Sequence, residues 1–309
     1  MEILYLNPVI KENIWGGQKL KTIYNYDVAC EHAGECWGIS AHPNGDCTIA
    51  NGEFKGMVLS KLWDTHRELF GNLEGDRFPL LVKIIDAKDD LSIQVHPSDK
   101  YAKTHENGSL GKTECWYILD CEPDTTIVIG HNAKNHDELE DMILNHKWKE
   151  FIREIPIKKG DFFMINPGCL HAIKGGTLLL ETQQNSDITY RVYDYDRLQN
   201  GKPRDLHVQQ SIDVIEAPFV PYEITSAAEE NENYKLQKFI SCSYFTVEKL
   251  DVVSEATFTQ DKPFLNMSVV EGEGTINGEQ VSKGMHFILP NGYGKYTIKG
   301  TLSIIQSYV

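Results

Sequence analysis

Residues 91–97 read LSIQVHP, with Leu91, Ile93 and Val95 on one side and Ser92, Gln94 and His96 on the other. A repeat of two is the period of a β-strand. Most half-buried strands show water Thr, Ser, Lys or Glu; this one shows a glutamine and a histidine one pleat apart. Short apolar or alternating runs recur at 80–86 (LLVKIID), 114–119 (ECWYIL), 125–129 (TTIVI), 161–165 (DFFMI), 177–182 (TLLLET) and 188–193 (ITYRVY). The style continues through 244–250 (YFTVEKL), 265–272 (LNMSVVEG) and 286–290 (HFILP). Gly, Pro, Asn and Asp separate these runs. Many short strands at fairly even spacing predict a sandwich or barrel.

Three windows carry helical spacing instead. They are 57–70 (Leu59, Leu62, Trp63, Leu69, Phe70), 136–149 (Leu139, Met142, Ile143) and 205–216 (Leu206, Ile212, Ile215, with Asp205 as N-cap). Ser98 is placed to cap a short helix after the quoted strand. The acidic stretch SAAEENENY at 226–234 reads as a linker.

An internal repeat is visible: KGDFFMINPGCLH at 159–171 and KGMHFILPNGYGK at 283–295. Lys-Gly, strand, Pro/Gly/Asn turn is the hairpin reused in small jelly-roll barrels of the cupin type. His171 in the first copy is matched by Lys295 in the second. The expectation is a mainly β protein of two cupin-like jelly-roll barrels, with a few helices packed on the N-terminal one. Residues 1–225 would form the catalytic unit, and 235–309 a β unit without a metal site.

Composition narrows the function. The chain has 309 residues and a formal net charge of −15, with no basic stretch to compensate, which argues against nucleic acid. An anionic substrate would need a locally positive site. The seven cysteines are odd in number and contain no CxxC, which reads as reduced thiols in a cytoplasmic protein. The N-terminal stretch lacks a signal-peptide pattern and no apolar run approaches membrane-spanning length. The sequon at Asn107 reads as accidental in that setting.

Gln94 and His96 leave one strand face roughly 6–7 Å apart, close enough to converge on one ion. Glu114 opens the next strand, and His171 follows the Pro167-Gly168 turn. Two imidazoles, a carboxylate and an amide oxygen make an open Zn²⁺ site, and the N/O set also suits Fe²⁺, Mn²⁺ or Co²⁺. A lone strand-end histidine is more often inert. The Gln-x-His pair, the second histidine after a barrel turn and the cations between them set this group apart.

Between His96 and Glu114 runs PSDKYAKTHENGSLGKT, with Lys100, Lys103, Lys112, Ser109, Thr113 and glycines at 108 and 111. Ammonium, hydroxyl and free backbone suit a phosphate, although such loops are often merely solvated. Thr189, Arg191 and Tyr193 share one strand face, and an inward arginine needs an anion. Glu181, Asp194 or a charged reaction intermediate would each serve.

These stretches resemble the type I mannose-6-phosphate isomerases in their short bacterial form. The match is carried by WGG at 15–17, ECWGISAHPNG at 35–45, LSIQVHPSDKYA at 91–102, GKTECWYIL at 111–119, NPGCLHAI at 166–173 and LLETQQNSDITYRVYDYDR at 179–197. The resemblance implies a zinc-dependent interconversion of mannose 6-phosphate and fructose 6-phosphate. It implies one Zn²⁺ per chain on Gln94, His96, Glu114 and His171, a catalytic Arg191, and phosphate contacts from Lys100, Ser109 and Lys112. Glu181 is the candidate base and Lys112 a candidate for ring opening. Two departures stand out. Cys169 and Leu170 lie between glycine and histidine with the ligand spacing kept. The lysine that follows the catalytic arginine in long forms is absent, and Arg197 is the nearest cation, so the residue completing the phosphate site stays open.

Two other functions fit parts of the pattern. A non-catalytic sugar-phosphate sensor could use the same scaffold, since fold does not fix function, but it would not need Arg191. A cupin oxygenase would leave the phosphate-type loop without a purpose.

Overall fold

The computed structural model describes residues 1–309. Two antiparallel sheets enclose the first core. One has six strands, in spatial order Phe162–Ile165, Glu114–Cys121, Thr177–Gln184, Leu80–Ala87, Val9–Gly17 and Ala33–Ile39. The other has five: Ile152–Pro156, Thr126–His131, His171–Ile173, Ile93–Val95 and Tyr190–Tyr193.

Alternation of side chains decides the packing. Leu179 joins Trp116, Ile118, Ile127 and Ile173 in the cluster between these sheets. Leu178 and Leu180 turn the other way, into a cluster with Ile84, Cys115 and Tyr117. Every residue of Leu80–Ala87 and Thr177–Gln184 is therefore buried, because the six-stranded sheet is covered on both faces.

The second cover is a ten-stranded C-terminal sheet. Its Val247, Phe264, Val270, Ile288 and Ile305 complete the shared cluster. Its Leu265, Met267, Val269, Phe287 and Leu289 face a core of their own. At this junction His286 is buried, with Nε2 2.9 Å from the Tyr26 hydroxyl and Nδ1 2.8 Å from Ser268 Oγ. Gly38 makes room for it: a Cβ there would lie 2.4 Å from the His286 ring. On the far side of the five-stranded sheet, the helices His136–Leu144 and Val208–Val214 bring Leu139, Ile143 and Ile212 against Ile93, Val95 and Val192.

The mainly β reading holds, and the two Lys-Gly turns share their geometry. Gly160 has φ +92° and Gly284 +91°, a left-handed conformation that glycine adopts freely. All seven cysteines are free thiols. Several expectations change. Strand Leu4–Asn7 pairs with His286–Pro290, Leu4 opposite Ile288, so the N-terminal strand belongs to the C-terminal sheet. Part of the expected linker is the edge strand Ala227–Glu230, paired with Tyr234–Ser241; it reads as polar because all four residues are exposed.

The helices are shorter than their stripes. The first is Leu59–Thr65 followed by a 3₁₀ turn at Arg67–Phe70, broken at His66. The second stops at Leu144, because His146 takes φ +54°, and a short turn follows at Trp148–Phe151. In the third, Asp205 is not the cap: the helix begins at Val208, and Leu206 is exposed. Ser98 does cap the helix Asp99–His105, its hydroxyl accepting from the Tyr101 N–H at 3.4 Å.

Candidate active site and metal centre

Strand register builds the site. Gln94 lies opposite His171 on one side and opposite Arg191 on the other. Glu114 faces them from the six-stranded sheet, where it pairs with Gln183 and Ile165. His96 follows its strand and is fully buried, as are Glu114 and His171.

The two imidazoles are oriented by backbone carbonyls. His96 Nδ1–H donates to the Ile188 oxygen and His171 Nδ1–H to the Cys169 oxygen, each at 2.9 Å. A carbonyl only accepts, so each neutral ring keeps its proton on Nδ1 and turns the Nε2 lone pair inward. His96 Nε2 lies 3.4 Å from Glu114 Oε2, and His171 Nε2 lies 3.5 Å from Glu114 Oε1. Neither carboxylate oxygen nor His96 Nε2 has an aligned hydrogen-bond partner, although Lys112 Nζ is 2.9 Å from Glu114 Oε2.

Protonation states sharpen this picture. Burial, helped by the Lys112 charge, pushes the His96 imidazole down to about 3. Burial also lowers His171. Burial opposes ionisation of Glu114, but the Lys112 ammonium more than offsets it, holding the carboxyl well below its usual range. Two neutral imidazoles and a carboxylate, with lone pairs aimed at one point, repel each other unless a cation sits between them. This donor set fits a divalent metal. The Gln94 amide completes it: its end group is 3.3 Å from His171 Nε2, and amide O and N exchange by a half-turn of the last bond.

Beside this cluster opens a cavity of about 170 Å³. It brings together four of the residues anticipated from sequence: Gln94, Lys112, Glu181 and Arg191. Lys100 and Ser109 do not line it. Lys100 is exposed on the first turn of the helix Asp99–His105, and Ser109 lies in the loop beyond that helix.

The partner expected for Arg191 also differs. Glu181 pairs instead with Lys83, Oε1 to Nζ 3.2 Å, and its Oε2 accepts from Trp116 Nε1 at 3.0 Å. Asp194 is taken by Arg197 and Arg204 at 2.5 Å each. Arg191 is left with the Asp205 carbonyl at 3.0 Å, and its buried Nε has no partner. Burial and the nearby Glu114 raise the Glu181 carboxyl, while Lys83 and Lys112 pull it down.

Sequence reading missed Lys83, Arg204, Glu35, Trp15, Trp37 and Asp187, which also line the cavity. A signal existed for Lys83, a lone charge inside the apolar run LLVKIID. Burial disfavours its ammonium, but Glu35 and then Glu181 raise its affinity for the proton above that of an ordinary lysine. Arg204 gave no such signal, because it sits in a polar, turn-rich stretch.

Comparison with known proteins gives a consistent answer. Residues 3–131 match the family model "Phosphomannose isomerase type I, catalytic domain", and 235–309 match "Mannose-6-phosphate isomerase, cupin domain". The chain is 50% identical to mannose-6-phosphate isomerase ManA of Bacillus subtilis, covering 100% of this chain and 99% of that protein. It is 44% identical to the mannose-6-phosphate isomerase of Streptococcus mutans, with 99% and 98% covered. A crystal structure of the Bacillus subtilis mannose 6-phosphate isomerase superposes with a TM-score of 0.98 at 48% identity, covering 100% of both chains. A variant phosphomannose isomerase from Salmonella typhimurium shares the fold, with a TM-score of 0.81 at 15% identity over 100% and 99% of the two chains. Motif, fold and full-length identity agree: the chain belongs to the type I mannose-6-phosphate isomerase family.

Proposed function

We propose that this chain interconverts mannose 6-phosphate and fructose 6-phosphate through a cis-enediol(ate), with Zn²⁺ held by Gln94, His96, Glu114 and His171. The carrying observation is the pair of carbonyl-locked imidazoles aimed at Glu114. When bound, the metal supplies a Lewis acid that polarises sugar oxygens near it.

The remaining chemistry falls to side chains around the cavity. Moving the carbonyl from C1 to C2 takes a proton from C2 and returns it at C1, while negative charge builds on O1 and O2. Arg191, free of any carboxylate, stabilises that charge. Glu181 carries the proton. Burial raises its carboxyl toward the range useful for general base work, and Lys83 with Trp116 holds it in place. Lys112, between Glu114 and the cavity, assists ring opening at the sugar oxygen.

The test is a coupled assay on chelator-stripped protein. Re-added Zn²⁺ should restore fructose 6-phosphate formation from mannose 6-phosphate, and not from glucose 6-phosphate or free mannose. Binding of mannose 6-phosphate without turnover by the zinc-loaded protein would overturn the reading.

A further inference from the structure

Three guanidinium groups converge beside the cavity, and one buried carboxylate meets them. Asp194, 4% exposed, accepts from Arg197 Nη2 at 2.5 Å and from Arg204 through Nε and Nη2, at 2.7 and 2.5 Å. Arg191 makes no hydrogen bond to that carboxylate and donates to the Asp205 carbonyl instead. The Asp205 carboxylate nearby is exposed and makes no ion pair, so the buried part of the cluster carries excess positive charge. Burial, and then the charge of Arg204, loosens the proton on Arg191, as two neighbouring guanidinium groups require.

The two arginines on Asp194 are not equivalent. Arg197 uses every nitrogen on the protein: Nε on the Asp194 carbonyl, Nη2 on its carboxylate and Nη1 on the Asp90 carbonyl. It does not line the cavity. Arg204 does line it, and spends only its Nε–Nη2 side on Asp194. Its Nη1 has no protein partner, which leaves one edge of the planar fork for a bidentate anion. Arg204 follows directly on the hairpin Leu198–Gln199 and Lys202–Pro203, whereas Arg191 is in register with Gln94. One arginine thus adjoins the metal cluster and the other comes from a surface hairpin.

We propose that Arg204, seated by Asp194, is the cation that takes the substrate's phosphate, leaving Arg191 to the reacting carbons. The assignment rests on the isomerase reading above. It gives the phosphate a partner within the cavity, which Lys100 and Ser109 do not line.

The test uses the full-length, zinc-loaded protein and two readouts: steady-state kinetics on mannose 6-phosphate, and calorimetric binding of inorganic phosphate. Arg204→Met should raise KM and the phosphate Kd by roughly 10–100-fold with a smaller change in kcat, the loss of a charge-assisted hydrogen-bond pair. Arg204→Lys, which keeps a charge beside Asp194, should recover part of both. Arg197→Met removes the other Asp194 contact and should leave both near the wild type. Equal effects from Arg197→Met and Arg204→Met would overturn the proposal, since the cause would then be a loosened Asp194. So would unchanged phosphate binding in folded Arg204→Met or Arg204→Lys. If the wild type binds phosphate through Arg204 yet turns over no mannose 6-phosphate, the isomerase reading fails and the Arg204 site stands.

Discussion

Lys112 and Glu114 form an ion pair of 2.9 Å in which the lysine side chain is 5% exposed and the carboxylate 0%. Lys112 lies two residues before Glu114, which opens its strand, so the cation neighbouring the candidate metal cluster comes from the same short segment as the cluster's carboxylate. Removing one partner leaves the other charged and out of water. Glu114→Gln should therefore destabilise the metal-free protein by roughly 3–5 kcal/mol as well as abolish zinc binding. Denaturant unfolding of the stripped protein measures the first effect and metal analysis the second.

His171→Ala removes a ligand without stranding a charge, since its imidazole is neutral. The expected result is a folded protein with little zinc and no isomerase activity. A fully metallated His171→Ala protein would reject this ligand set.

Arg191→Ala should leave zinc content and thermal unfolding near the wild type. Its kcat should fall by roughly 10²–10³, the scale for losing one preorganised donor to a developing anion. Near-normal turnover in this variant would remove Arg191 from the chemistry.

Lys83 and Glu181 form a buried pair at the cavity wall. Lys83→Met alone should cost about 3 kcal/mol, because Glu181 is left buried and unpaired. Lys83→Met combined with Glu181→Gln should regain much of that stability but none of the activity. A double-mutant cycle on unfolding free energy and kcat separates the two roles.

His286 sets a pH dependence away from the active site. Burial lowers its imidazole to about 4, against about 6.5 for an unfolded histidine. Between those values the unfolded chain binds the extra proton, so stability rises with pH. The contribution is complete above about pH 6.5 and lost as pH falls toward 4, at up to about 1.4 kcal/mol per pH unit. His286→Gln should flatten the stability profile between pH 7 and 5 by about one proton. An unchanged slope would place the titration elsewhere.

Much of the metal cluster was legible because strand alternation is strict. Once Ile93 and Val95 are assigned to one face, Gln94 must leave the other, and His171 and Glu114 follow strong turn and strand signals. The rest of the cavity lining was less so. Lys100, read as a loop cation, is carried outward by a helix whose cap, Ser98, had itself been recognised. The pairing of Glu181 with Lys83 was hidden because it depends on which strand lies beside which: Glu181 and Lys83 are direct cross-strand neighbours. The strand at Ala227–Glu230 was concealed for a different reason, since an edge strand exposed on both faces has no apolar side to betray it.

The first strand of the chain, Leu4–Asn7, is held between Thr48–Ile49 and His286–Pro290. During synthesis it leaves the ribosome long before one of its two neighbours exists. That strand must wait, unpaired along one edge, until about 280 further residues have been made. Closing that contact spans most of the sequence, which makes it a late and slow event. The junction between the two halves is therefore sealed only after His286–Pro290 has been made, and a chain interrupted before residue 286 would display an open sheet edge to its surroundings.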